Sequence, residues 1–367
     1  MPRAPVDASV GALAARLVAR IRRDGPLPVD SFMQACLEDP VHGYLLKPQS
    51  IGAGGDFVTA PEISQVFGEL IGLWCAVAWQ GMGRPAPLRL VELGPGRGTL
   101  MRDALRAARV VPAFLEAVTV HLIEIGPRLR QWQRRQLLGG ASAGRPPDIV
   151  WHVTLGEVPA GPAIVIGNEF LDALPVRQLV YGEGIWRERI VEAEPDGTLA
   201  FATGPEVACA SPGLPPEPGA IAELRPGEDA LLAALAARAE PLVALFLDYG
   251  PAQPAFGDTL QAVRGHAYVN PLTEPGTADI TAHVQFEGFA RKARGAGLAV
   301  AGPITQAELL GRLGIAERTA RLMAANPERA GEMEAATQRL MSPTGMGQLF
   351  KAIAVHSPGL SPPPAFG

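Results

Sequence analysis

Short apolar runs alternate with helix-spaced stretches along most of the 367 residues. Leu88–Leu93, Val118–Ile123, Asp148–Val153, Ala163–Gly167, Leu242–Leu247, Leu298–Gly302 and Phe350–Val355 are compact apolar segments bounded by turn residues. Thr99–Ala108, Pro127–Leu138 and Gly227–Ala239 fall between them and read as helices. Strands with no polar face, alternating with helices, predict a mainly parallel sheet covered on both sides, a doubly wound, Rossmann-like α/β fold.

Two regions depart from this rhythm. Residues 1–87 read as a helical extension, with helices over Val10–Arg23, Val29–Glu38 and from Glu62 to about Gln80, separated by the glycine-rich loop Gly52–Pro61. Val176–Phe201 alternates as a small antiparallel ribbon and runs into a Pro/Gly-rich stretch over Thr203–Ala220, so 176–220 is expected to be a cap inserted into a catalytic domain of 88–355. The Pro/Ser/Gly-rich tail, 356–367, is expected to be unstructured.

Composition narrows the classes. A net charge of −5, without a basic block, gives no electrostatic case for nucleic acid. Cys36, Cys75 and Cys209 are far apart and form no CxxC, which suggests neither a zinc cage nor a disulfide framework, and no metal is expected. The longest apolar run, Leu70–Trp79, is about half the ~20 residues of a membrane span. The Ala/Arg-rich opening reads as a first amphipathic helix rather than a transit peptide. Three lysines beside 29 arginines suggest a GC-rich bacterial genome, and with it a cytoplasmic protein.

The chemistry begins where the first strand hands over to its helix, in Glu92-Leu93-Gly94-Pro95-Gly96-Arg97-Gly98-Thr99. Open parallel sheets bind ligands outside the carboxyl ends of their strands, and glycines allow a close backbone approach. A dinucleotide site would have a glycine where Thr99 stands, and no GxxxxGK[ST] loop occurs anywhere. S-adenosylmethionine, which has no phosphate, fits better. Glu92 can face its cationic end, and Glu124, directly after the second strand, can accept from both ribose hydroxyls. A turn that merely caps a strand, with Glu92 in a surface ion pair, would give the same pattern.

A second polar cluster ends the fourth and fifth strands: Asn168-Glu169-Phe170-Leu171-Asp172 and Asp248-Tyr249-Gly250. If strands one, four and five are neighbours, these groups converge beside the donor. Paired carboxylates hold a guanidinium through charge-assisted bonds, so Glu169, with Asp172, Asp248 and Asn168, is the candidate acceptor and catalytic site. The alternative is that Asn168 and Asp172 cap a helix after strand four. His266 and His283 rank below the carboxylates.

Gly55–Gln65, the glycine turn with Thr99-Leu100-Met101, Asn168–Pro175, Phe246–Gly250, Asp258–Ala262, Asp279–Val284 and Met346–Lys351 together resemble the MidA-like family of methyltransferases. The resemblance implies a seven-stranded class I methyltransferase fold. It further implies an S-adenosylmethionine-dependent protein arginine N-methyltransferase acting on a core subunit of respiratory complex I, with Asp56, Thr59 and Glu62 near the cofactor or substrate mouth. Leu171 stands where an aromatic is frequent and Gln285 where the family usually has Asp, so no acidic role falls to that loop. Methylation of a small molecule under the 176–201 insert, and an assembly chaperone that binds the donor without transfer, remain open. A nicotinamide oxidoreductase is the most distant alternative.

Overall fold

The computed structural model describes residues 11–46, 58–139, 147–208, 214–238 and 241–367. Its centre is a seven-stranded sheet: β1 (Leu88–Leu93), β2 (Val118–Ile123), β3 (Ile149–His152), β4 (Ala163–Asn168), β5 (Leu242–Tyr249), β6 (Ala299–Thr305) and β7 (Phe350–His356). In space the order is β6-β7-β5-β4-β1-β2-β3. All pairings are parallel except those of β7, which runs antiparallel to both neighbours.

Period-two alternation explains why these segments read as wholly apolar. Leu88, Leu90, Ile164, Ile166, Val243 and Leu245 enter one core cluster. Val91, Leu93, Ala163, Val165, Ala244 and Phe246 enter the cluster on the opposite face. The inner strands bury both sides, so neither of their faces can be polar, while the edge strands β3 and β6 are partly exposed. The helices Gln65–Gly81 and Thr99–Ala107 contribute to the first cluster, and Pro226–Ala236 and Phe286–Gly295 to the second.

The first 87 residues do not form one helical body. Leu13, Leu17 and Ile21 of the helix Ala12–Asp24 and Phe32, Met33 and Cys36 of Val29–Glu38 pack with Val176, Val191 and Ile280. Leu27–Pro28 pairs antiparallel with Ile185–Ala193, joining the inserted ribbon. The ribbon itself is larger than expected, with strands Arg177–Gly182, Ile185–Ala193, Leu199–Glu206 and Ile221–Leu224. A further three-stranded sheet, Gln261–Arg264, Ala267–Val269 and Asp279–Thr281, was not foreseen. Nor were the helices Gln306–Arg312, Ile315–Ala325 and Ala330–Met341.

Two expectations need correction. The helix expected from Glu62 is broken at Ser64, whose extended backbone separates Ala60–Ile63 from Gln65–Gly81 and whose hydroxyl caps the latter through Val66 N. The tail is ordered: the Trp74 indole donates to Pro364 O at 2.9 Å, Arg312 donates to Ala365 O at 2.7 Å, and Leu360 and Phe366 pack against the core. Proline-rich composition weakened secondary structure there without preventing packing. No helix among the described residues is long and apolar enough to cross a membrane.

Candidate active site

β1 lies between β2 and β4, so the chain leaves β1 at the point where strand order reverses. A crevice opens at such a switch point beyond the strand ends. The glycine turn fills it. Gly94, Gly96 and Gly98 have φ of 61°, 51° and 81°, a conformation that side chains other than glycine's resist. Gly94 N donates to Ile123 O at 3.1 Å and Gly98 N to Pro95 O at 2.7 Å, which fixes the turn across β1 and β2.

Thr59, Glu62, Glu92, Gly94, Pro95, Gly96, Asn168 and Glu169 line one cleft together with Pro61, Arg97, Thr99 and Leu100. Eight of the predicted site residues therefore meet at one place. Thr99 Oγ1 donates to Glu62 Oε1, tying the glycine-turn helix to the segment that precedes Gln65–Gly81. The cleft measures about 70 Å³, well below the ~300 Å³ of small-molecule sites. Asp56 lies outside the described residues.

The electrostatics of the cleft favour a cation. Glu92 is 3% exposed, and its Oε2 has no hydrogen-bond partner among the described residues. Burial, then the neighbouring Glu124 carboxyl, pushes it up to about 8. Glu124 follows β2 directly and is raised to about 7 by burial, a shift opposed by bonds from Gly126 N (2.7 Å to Oε1) and Gln133 Nε2 (3.1 Å to Oε2). Glu124 does not line the cleft itself, but its Gln133 partner also donates to Gly96 O at 2.7 Å. An orphaned buried carboxyl oxygen beside a phosphate-free glycine turn fits the sulfonium and amino end of S-adenosylmethionine, and Glu124 fits its ribose.

The second cluster divides into a part that lines the cleft, Asn168 and Glu169, and a part that supports it. β5, β4 and β1 are adjacent, so the polar strand ends do converge. Glu169 adopts φ of 50°, held by its N–H donating to Leu247 O at 2.8 Å. Its Oε1 accepts from Ala60 N at 3.3 Å and Asn168 Nδ2 at 3.2 Å. Burial, then Asp172, raises it to about 8. A carboxylate on left-handed backbone is a strained placement of the kind that marks functional sites.

Asp248 does something else. It is fully buried, and its Oδ2 accepts from Phe170 N (3.1 Å), Leu171 N (2.8 Å) and Asp172 N (3.2 Å), while Oδ1 accepts from Tyr249 N (2.9 Å). Those bonds shape the turn after β4. The expectation that Asp248 reaches an acceptor is thereby corrected, since its oxygens serve the backbone. No helix follows β4, so Asn168 and Asp172 cap none. Asp172 is buried behind the cleft, with Oδ1 lacking a hydrogen-bond partner among the described residues, and burial raises its pKa. Arg225, 2% exposed, clamps the same turn by donating to Leu171 O at 2.9 Å and to Ala282 O at 2.6 Å.

Neither His266 nor His283 lines the cleft. His266 lies in an exposed hairpin turn with φ of 62°. His283 stacks edge-on to Tyr249, and Tyr249 Oη donates to Thr281 Oγ1 at 2.7 Å. Gln285 lines a separate groove with His283 and Lys351 and carries no acid function. Sequence reasoning missed Gln133 and Arg225. Gln133 was findable: it follows Leu129 by one helical turn, on the inward face of Pro127–Leu138.

Fold and cleft together define a class I, S-adenosylmethionine-dependent methyltransferase. A family described as "Putative S-adenosyl-L-methionine-dependent methyltransferase" matches residues 70–304, and the chain belongs to it. The chain is 34% identical to the "Protein arginine methyltransferase NDUFAF7, mitochondrial" of Xenopus laevis, over 95% of this chain and 85% of that protein. It is 32% identical to the Homo sapiens protein of the same name, over 96% and 85%. Among solved structures, a COG1565 superfamily member from Burkholderia thailandensis bound to S-adenosyl-homocysteine superposes with a TM-score of 0.85 at 30% identity, covering 100% of this chain and 97% of that one.

Proposed function

We propose that this chain transfers a methyl group to a guanidino nitrogen of arginine in a protein, with a core subunit of respiratory complex I as the target the family resemblance implies, in a bacterial cytoplasm. Bound S-adenosylmethionine supplies the electrophilic methyl. The observation that carries the reading is Glu169: a carboxyl on strained backbone, in the same cleft as the glycine turn and Glu92, with its pKa raised to about 8. The names of the relatives support it.

Glu92, Gly94, Pro95, Gly96, Gly98 and Glu124 hold the donor, with Thr59 and Glu62 at its mouth. Glu169, positioned by Asn168, pairs with the guanidinium, fixes which nitrogen faces the methyl and accepts the proton that nitrogen gives up as the N–C bond forms, S-adenosylhomocysteine being the leaving group. Orientation of two reactants is worth ~7–11 kcal/mol, which is the main service a methyl transfer needs. Asp172 and Asp248 shape the turn that presents Glu169.

Replacing Glu169 by Gln tests this. Donor affinity by calorimetry should stay within about threefold, while methylation of protein arginine should fall by ~100-fold or more. Undiminished protein methylation in Glu169→Gln would contradict the assignment. A wild-type protein that binds the donor and methylates nothing would instead support a chaperone.

A further inference from the structure

Gln133 is completely buried on the inner face of Pro127–Leu138. Both N–H groups of its Nε2 are used, one on Gly96 O at 2.7 Å and the other on Glu124 Oε2 at 3.1 Å. Its Oε1 accepts from the Trp151 indole on β3 at 2.9 Å. One side chain thus joins three elements: the glycine turn, the end of β2 and the sheet edge.

The indole fixes the sense of the amide. Trp151 Nε1 can only donate, so Oε1 must face it and Nε2 must face Gly96 and Glu124. A flipped amide would set oxygen against two acceptors. Glu124 is then held on both sides, with Gly126 N on Oε1 at 2.7 Å and Gln133 on Oε2. Each carboxylate oxygen has a second acceptor site to offer a ligand.

We propose that Gln133 is a positioning residue for the donor's ribose: it locks the Glu124 carboxyl in one plane and in register with the glycine turn, and Trp151 keeps the Gln133 amide in the working orientation. The proposal rests on Glu124 being the ribose acceptor. Two charged or titratable groups act on the Glu124 carboxyl among the described residues. The neighbouring Glu92 on β1 opposes ionisation of the pair. Arg130, whose Nε donates to Glu124 O at 2.6 Å, favours ionisation of Glu124. Gln133 adds the one side-chain donor to the carboxylate that does not titrate.

The test is calorimetry with S-adenosylhomocysteine from pH 5.5 to 8.5. That ligand has no sulfonium, which lessens the contribution of Glu92. Gln133→Met preserves volume and removes both donors. It should weaken binding on the order of tenfold at pH 7 and move the pH of half-maximal affinity up by about one unit, because an undonated carboxylate holds its proton longer. Trp151→Phe, which loosens the amide without deleting it, should shift the profile the same way by less, and it carries the test if Gln133→Met fails to fold. Equal weakening at every pH in both variants would mean a structural role only and would overturn the proposal. Glu124→Gln is run beside them. An unchanged profile there refutes the ribose assignment itself, whereas a flattened profile with no Gln133 effect refutes only the positioning role.

Discussion

Glu92 shows how the site sets ligand binding against stability. Burial holds its carboxyl at about 8 in the folded chain, above the ordinary value of 4.5. Between those values the unfolded chain releases a proton that the folded chain keeps, so the carboxyl costs stability as pH rises through that window. Glu92→Gln does not titrate. Its unfolding free energy should therefore exceed the wild type's by a margin that grows from pH 4.5 to 8, on the order of 5 kcal/mol at the upper end, while S-adenosylmethionine affinity falls about tenfold or more. Parallel melting curves across pH with no divergence would refute it. The sequence placed Glu92 and Glu124 well, because topology alone puts them at strand ends. It could not separate Glu169 from Asp248. Both are carboxylates at adjacent strand ends, and only the backbone N–H groups of the turn after β4 reveal that Asp248 is occupied internally.

At the scale of elements, the glycine turn is aimed by a close helix crossing. A Cβ on Gly72 of Gln65–Gly81 would lie 2.4 Å from Ala104 O and 2.5 Å from Ala104 Cα of Thr99–Ala107. Those are backbone atoms, so no side chain can yield. Gly72→Ala should cost about 3 kcal/mol in denaturant unfolding; a loss under about 0.5 kcal/mol would show that the helices can separate freely. All seven central strands were legible from their apolar runs: the inner strands because both faces are buried, and the partly exposed edge strands β3 and β6 because they still carry mostly apolar side chains. The helices of 306–341 were not: Ile315–Ala325 buries only Ile315 and Thr319, and Ala330–Met341 only Leu340, so their apolar periodicity is faint. One signal was present, since Thr305 and Glu308 form a capping box readable as T-x-x-E. The sheet of 261–281 has short strands without clear alternation, and periodicity could not find it.

Across the whole molecule, the two ends of the chain close the structure around the methyltransferase core. The N-terminal helices pack on the inserted sheet, and the tail covers Trp74. Removing residues 358–367 should uncover that face and lower Tm by about 5 °C; an unchanged Tm would mean the tail adds nothing. The polar cleft lies at the strand-order reversal, and the proposed function turns on what is methylated there. The direct measurement is to incubate the protein with methyl-labelled S-adenosylmethionine and a bacterial respiratory-chain protein fraction, hydrolyse the products, and identify the labelled amino acid. The account predicts label in ω-N-methylarginine, absent from the Glu169→Gln reaction. Label confined to low-mass products, or to a residue other than arginine, would contradict it.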